Sequence, residues 1–198
     1  MVGNTRKNMI LAGAGLGLLL AAGASRADLI PELQSVAPNG SGHFTWSYNV
    51  DLTNDEVVKK GTFFTIYDFA GFVPGTNFQP SGWVFSSSML GNTPLRVAPV
   101  DNPNIPNLSW TYTGKTRLGP GPLDLGLFGA DSNSGRAQLG NFAAEAIKYA
   151  PGKPGNGRPV DNIGSIGVPV PSVPEPGALA LLLPGLAPLG LLLRKRAG

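Results

Sequence analysis

No cysteine occurs among the 198 residues. Disulfides, thiolate metal sites and a cysteine nucleophile are therefore excluded, and a domain of this size must hold together by hydrophobic burial without cross-links. Histidine is almost as scarce: His43 is the only imidazole, so a Ser-His-Asp arrangement would have to pass through it. A basic excess is missing from the middle of the chain. The formal net charge is +3, yet residues 28–173 carry nine basic against eleven acidic side chains. The surplus sits on Arg6, Lys7 and Arg26 and on Arg194, Lys195 and Arg196. Nucleic-acid binding, which needs a basic patch on the folded part, loses its support. No internal repeat is visible in the middle.

What is present begins with "MVGNTRKNMILAGAGLGLLLAAGASRA", residues 1–27. A basic start, an apolar stretch over residues 9–24 and the small pair Ser25 and Ala27 form the three-part layout of a secretory signal peptide. The expected cut lies between Ala27 and Asp28, with signal peptidase and Sec-type export machinery as partners. An uncut anchor is the main alternative, but the apolar stretch of 16 residues falls short of the roughly 20 needed to span a bilayer. "GAGLG" follows no strand and lies in no βαβ unit, so it is not read as a dinucleotide loop.

From His43 the chain reads "HFTWSYNVDLT". Phe44, Trp46, Tyr48, Val50 and Leu52 alternate with polar residues, which puts the large apolar groups on one face of a strand. "NLSWTYTG" repeats the pattern with Leu108, Trp110 and Tyr112. "TFFTIYDFAGF" and "WVFSSSML" are rich in aromatic and β-branched residues that suit a pleated surface; "PLDLGLFG" and "VDNIGSIGVPV" are shorter, Gly-interrupted candidates. Pro/Gly/Asn-rich loops separate these segments. "RAQLGNFAAEAIKYA" fits neither period cleanly and is assigned as strand. "YAPGKPGNGRPVDN" reads as a long loop or hairpin tip, and "VPVPSVPEP" as an extended linker. The pattern predicts an all-β fold, a single antiparallel β-sandwich of jelly-roll or Ig-like type over residues 28–170. A signal-peptide helix is expected before it and a transmembrane helix after it. A chain of that length can bury roughly two thirds of its unfolded surface without disulfides.

Chemistry-bearing patterns in the middle are sparse. His43 opens a strand opposite the aromatics and reads as a solvated strand end. Asp51, Asp68 and Asp124 are candidates for a glycoside-cleaving carboxylate pair, but no spacing singles out two of them. "DSNSG", residues 131–135, begins like a calcium loop, yet Phe142 stands where the final Glu belongs, so a hairpin turn is favoured. No catalytic residue, metal ligand or cofactor is therefore assigned. Trp46 and Trp110 share faces with other apolar residues and read as core; Trp83, after "PSG", is the freer candidate for stacking on a sugar ring. Sequons stand at Asn39 and Asn107 and matter only in a glycosylating host.

The remaining feature is "VPEPGALALLLPGLAPLGLLLRKRAG", residues 173–198. Residues 177–193 carry no charge and as a helix would extend about 25 Å, close to the roughly 30 Å of a bilayer's hydrocarbon core. Pro184 and Pro188 are tolerated better in a membrane helix than in a soluble one. Arg194, Lys195 and Arg196 favour the cytoplasmic side, which leaves the β domain where the signal peptide sends it. A plain anchor would not need Pro174, Glu175 and Pro176. With that triplet, the apolar run and the basic cluster in order, the tail over residues 171–198 resembles the PEP-CTERM sorting signal. The resemblance implies recognition by exosortase, a membrane-embedded cysteine enzyme of Gram-negative bacteria, and cleavage near the motif. It further implies a cell-surface or exopolysaccharide-matrix protein, held transiently in the inner membrane, that is a substrate and not a catalyst. The stretches "FTWSYNV", "FFTIYDFAGFVPG" and "NLSWTYTG" also resemble domains found with such tails, which brings no activity with it. A polysaccharide-binding module and a secreted hydrolase are the alternative functions.

Overall fold

The computed structural model describes residues 29–171. The signal peptide with its cut at Ala27 and Asp28, the triplet Pro174, Glu175 and Pro176, the cluster Arg194, Lys195 and Arg196, and both terminal helices lie outside the described residues. Within them the chain is all-β: β1 (Leu29–Pro38), β2 (Phe44–Leu52), β3 (Glu56–Val57), β4 (Phe63–Ile66), β5 (Trp83–Ser88), β6 (Asn107–Tyr112), β7 (Leu123–Ser132), β8 (Ala137–Lys148) and β9 (Pro159–Pro169). No helix among the described residues is long and apolar enough to cross a membrane.

The strands form two antiparallel sheets. The first has the order β1-β2-β7; in the second, β8 carries β9 on one edge and β3 and β4 in succession on the other, followed by β6 and β5. The period-2 pattern of β2 is realised directly. Trp46, Tyr48, Val50 and Leu52 are buried while Thr45, Ser47, Asn49 and Asp51 are not, and Phe44 packs half-buried at the start. β6 differs, because Asn107 and Ser109 are buried on its polar face as well. Residues 89–106 account for this: Asn92 accepts a hydrogen bond from Thr65 Oγ1 at 2.7 Å, and Thr65 in turn meets Ser109 Oγ at 2.7 Å.

One aromatic core joins the sheets. Phe64 of β4 stacks on Trp110 of β6 with centroids 5.1 Å apart and meets Phe128 of β7 edge-on at the same distance. Edge-to-face and offset pairs of this kind contribute about 0.5–1.5 kcal/mol each beyond burial. Tyr48, fully buried, donates its hydroxyl to the Gly167 carbonyl at 3.0 Å, tying β2 to β9. Burial raises its pKa, so the hydroxyl stays protonated and able to donate.

Two expectations are refined. The 137–148 segment is strand, as assigned; its register with β9 runs unbroken from Ala137↔Pro169 to Ile147↔Pro159. Its periodicity is blurred because Leu139 is exposed while Ala143 and Ala144, on opposite faces, are both buried. "DSNSG" does form a turn, but the chain leaves β7 in one sheet and enters β8 in the other, so the turn crosses between sheets and closes no hairpin.

Gly129 marks a close approach. A Cβ there would collide with the Trp46 carbonyl oxygen and the Phe78 ring. Backbone cannot yield as a side-chain tip can, so Gly129→Ala is expected to destabilise the domain by about 3 kcal/mol or more. Equilibrium urea unfolding checks it, and a change below about 0.5 kcal/mol, the usual range for surface substitutions, would contradict this packing.

Candidate functional site

The candidates read from the sequence are scattered by the fold. His43 has Ser41 Oγ at 3.3 Å from Nδ1, and Ser41 Oγ itself donates to Asn39 Oδ1 at 2.6 Å. Asp131 enters this cluster through Asn39 Nδ2 and Thr45 Oγ1, each at 2.6 Å, and not through the imidazole. A serine, a histidine and an aspartate therefore lie near one another without the His–Asp contact that orients a catalytic imidazole. Among the described residues no group of three or more His, Asp and Glu side chains could hold a metal.

Trp83 is not available for stacking on a sugar. It is 5 % exposed and sits between Phe64, Tyr112 and Phe128, at centroid distances of 5.1 to 5.9 Å. Its position after a turn suggested freedom, but the turn delivers it to the start of β5 facing inward. Asn107 is likewise fully buried, so its sequon lies inside the fold.

Asp51 and Asp124 are brought together. They are register partners on β2 and β7, beside an irregularity between Asn49 and Asp51, and both line an open groove of about 460 Å³. Asp124 Oδ1 accepts the Gly126 N–H at 2.7 Å, which closes an Asx turn at the start of β7. The third candidate, Asp68, stands at the opposite end of the strands, with φ +57°. Its carboxyl is shifted upward, first by burial and then by nearby Asp101, while the Asn102 N–H acts in the other direction.

Asp68 belongs to a network that ties down residues 89–106. Asn107 Oδ1 accepts the Asp68 N–H at 2.8 Å, and its Nδ2 donates to Asp101 Oδ1 at 2.9 Å and to the Met89 carbonyl at 3.3 Å. Removing a buried amide leaves these groups without partners, so Asn107→Ala is expected to cost about 3 kcal/mol. Limited proteolysis should then cut within residues 89–106, and a digest unchanged from the parent would contradict the tether.

A second tether lies on the same segment. Arg96 pairs with Asp161 through Nε at 3.0 Å and Nη2 at 3.1 Å, donates its N–H to Asp161 Oδ2 at 3.0 Å, and also reaches the Pro159 carbonyl. Hydrogen bonding by Arg96 holds the Asp161 carboxyl below its ordinary 3.8, although burial opposes this. A depressed carboxyl contributes stability above its unfolded value and loses it as pH falls through the folded one. Glu145, the register partner of Asp161, is shifted upward by burial and then by that neighbour; its contribution has the opposite sign and fades as pH rises through its folded value. Protection of the Arg96 amide from hydrogen exchange should therefore persist at neutral pH and be lost only as pH falls through the folded value of Asp161, which lies below 3.8. Protection retained in acid would show that the carboxylate does not hold the segment.

The least expected feature is the distribution of cations. Lys59 and Lys60 follow β3, Lys115 and Arg117 follow β6, Lys148 ends β8, and Lys153 and Arg158 belong to the β8–β9 turn. Strand pairing gathers these three segments at one end of the domain. Val58 bridges to Leu118, and Tyr149 donates its N–H to the Asp55 carbonyl. Arg117 lies over the Tyr149 ring at 4.7 Å, a cation–π arrangement. Three shallow grooves mark this end. One, of about 540 Å³, is lined by Lys59, Lys60, Lys115 and Arg117; the second, of about 580 Å³, by Lys148, Lys153 and Asp55; the third, of about 490 Å³, by Lys148, Arg158 and the Arg96–Asp161 pair. The even charge balance of the sequence concealed this, because a sum has no direction. Only the joint register of β3, β6 and β8 reveals it.

Chemically, this end offers exposed cations over open polar grooves, suited to holding an extended anionic partner. Compared with known proteins, no family model matches the chain, and neither a curated protein nor a solved structure matches it.

Proposed function

We propose that the protein is an exported cell-surface or exopolysaccharide-matrix protein, sorted through its tail by exosortase and acting as that enzyme's substrate, with no catalytic role of its own. The observation that carries the reading is the order of signals along the chain. A three-part export signal precedes the β domain, and Pro174, Glu175 and Pro176 stand directly before an uncharged run and the cluster Arg194, Lys195 and Arg196. The two prolines fix φ on either side of Glu175 and disfavour helix there, which displays one carboxylate on extended backbone ahead of a membrane segment. Extended backbone is what a peptide-cleaving site grips.

For the finer fold we propose a β-sandwich of jelly-roll or Ig-like type, supported by two antiparallel sheets sharing one aromatic core. The sorting reading is tested by fractionating host cells. The protein should reach the surface or matrix fraction in the parent strain and accumulate in the membrane fraction when exosortase is deleted. Equal distribution in the two strains would reject it.

A further inference from the structure

The structure places seven of the nine basic residues of the domain at one end, on three segments that meet only in the folded state. Of the other two, Arg96 is engaged with Asp161 and Arg136 lies at the opposite end, before β8. The groove lined by Lys59, Lys60, Lys115 and Arg117 has no carboxylate in its lining. It continues through the Arg117–Tyr149 contact into the Lys148–Lys153 groove, and through Lys148 toward Arg158. Like charges held side by side repel, and these side chains are exposed or half-exposed and do not build the core. Asp55 and Asp161 offset part of this in the two flanking grooves, but in the first groove the four cations stand without a carboxylate, a cost to the fold that a polyanion would relieve.

Strand direction decides which polyanion. β9 enters at the cationic end, where Pro159 pairs with Ile147, and leaves at the other, where Pro169 pairs with Ala137 and Val170 N–H meets the Arg136 carbonyl. Its 11 residues separate the two ends by about 36 Å. The tail thus departs from the end opposite the cations. If the tail enters a bilayer, as proposed above, the cationic grooves face away from it, out of reach of its headgroups. Asp55 and Asp161 interrupt the positive surface of the two flanking grooves, which suits charges spaced along a chain better than the closely spaced phosphates of DNA. Open, shallow grooves in a row suit a linear chain with spaced charges better than a small enclosed ligand.

We propose that this end is a binding surface for an acidic polysaccharide bearing carboxylate groups, such as a uronic acid polymer. The claim deepens the matrix reading and rests on it for the orientation of the domain; the binding itself is measured on purified protein, so a failure of sorting and a failure of binding are told apart.

The test uses the full chain in mild detergent, with polygalacturonate as probe, neutral dextran as control, and anionic phosphatidylglycerol vesicles and duplex DNA as competing classes. Polygalacturonate should bind, dextran should not, and binding should weaken between 0.05 and 0.5 M salt, as screening requires at about 10 Å or less. The variant Lys59→Gln/Lys60→Gln/Lys115→Gln/Arg117→Gln should lose about thirtyfold in affinity, from four exposed contacts of ordinary strength. Lys59→Arg/Lys60→Arg/Lys115→Arg should retain binding, and Arg136→Gln should match the parent. Should the fourfold variant melt early, Lys153→Gln/Arg158→Gln in the turn provides a separate loss of binding. Undiminished binding in both charge-removal variants, equal binding to dextran, or vesicles or DNA held more tightly through these same residues would overturn the proposal.

Discussion

Phe64→Ala is expected to lower the unfolding free energy by about 4 kcal/mol, the usual cost of truncating a buried aromatic side chain. Phe64 lies on β4, whose two neighbours are β6 and β8, and is fully buried. Its ring stacks on Trp110 and meets Trp83 and Phe128 edge-on. Those partners come from β5, β6 and β7, so the cavity would open at the contact between the two sheets and could not be closed by one strand moving. With no cysteine in the sequence, no disulfide compensates. A domain with ordinary stability of about 5–15 kcal/mol would lose much of its margin. Val84→Ala on β5, in the same sheet, where the side chain is 54 % exposed, should change stability by less than about 0.5 kcal/mol. Urea unfolding of the two variants side by side checks the packing; similar midpoints would mean that the core is not organised around Phe64.

Substitution of the sorting triplet should have the larger consequence for the cell. On the sorting role proposed above, Pro174→Ala/Pro176→Ala removes both constraints on φ and so permits helix at Glu175, which the recognition scheme requires to be absent. Glu175→Ala keeps the backbone and removes the carboxylate. Either change is expected to leave nearly all of the protein unprocessed at its C-terminus. Geometry sharpens this: four residues lie between the end of β9 at Pro169 and Pro174, so the two are at most about 18 Å apart. The domain therefore sits close to any enzyme acting on the triplet. Inserting a flexible segment after Pro171 should preserve processing, whereas altering the triplet should abolish it. Gel mobility of the protein from host extracts distinguishes the two, and normal processing of the Glu175→Ala protein would remove the carboxylate from the recognition scheme.

How far the fold was legible depended on whether burial followed strand period. β2 was legible because only one face is covered, so its alternation survives in the sequence. β8 was obscured because both faces are partly covered and Leu139 is left outside, which scrambles the pattern that periodicity relies on. "WVFSSSML" reads as strand to Leu90, whereas β5 ends at Ser88, and nothing local in the residues that follow indicates that Asn107, Asp101 and Arg96 bind them down over the second sheet. The long-range partners of these side chains exist only after strand pairing. The same holds for the candidate site. Its turn makes Trp83 the freer candidate in the sequence although it is buried, while the cationic end is hidden there because Lys59, Lys115 and Lys153 are far apart in the chain and the net charge of the domain is close to neutral.

The state of the tail in the mature protein is the most direct readout of the proposed sorting. Intact-mass measurement of the protein from its host, with and without exosortase, tests this directly. The parent strain should yield a chain starting at Asp28 and ending near Pro174, Glu175 and Pro176, without Arg194, Lys195 and Arg196; the deletion strain should retain that cluster. The cluster found intact in both strains would contradict the account.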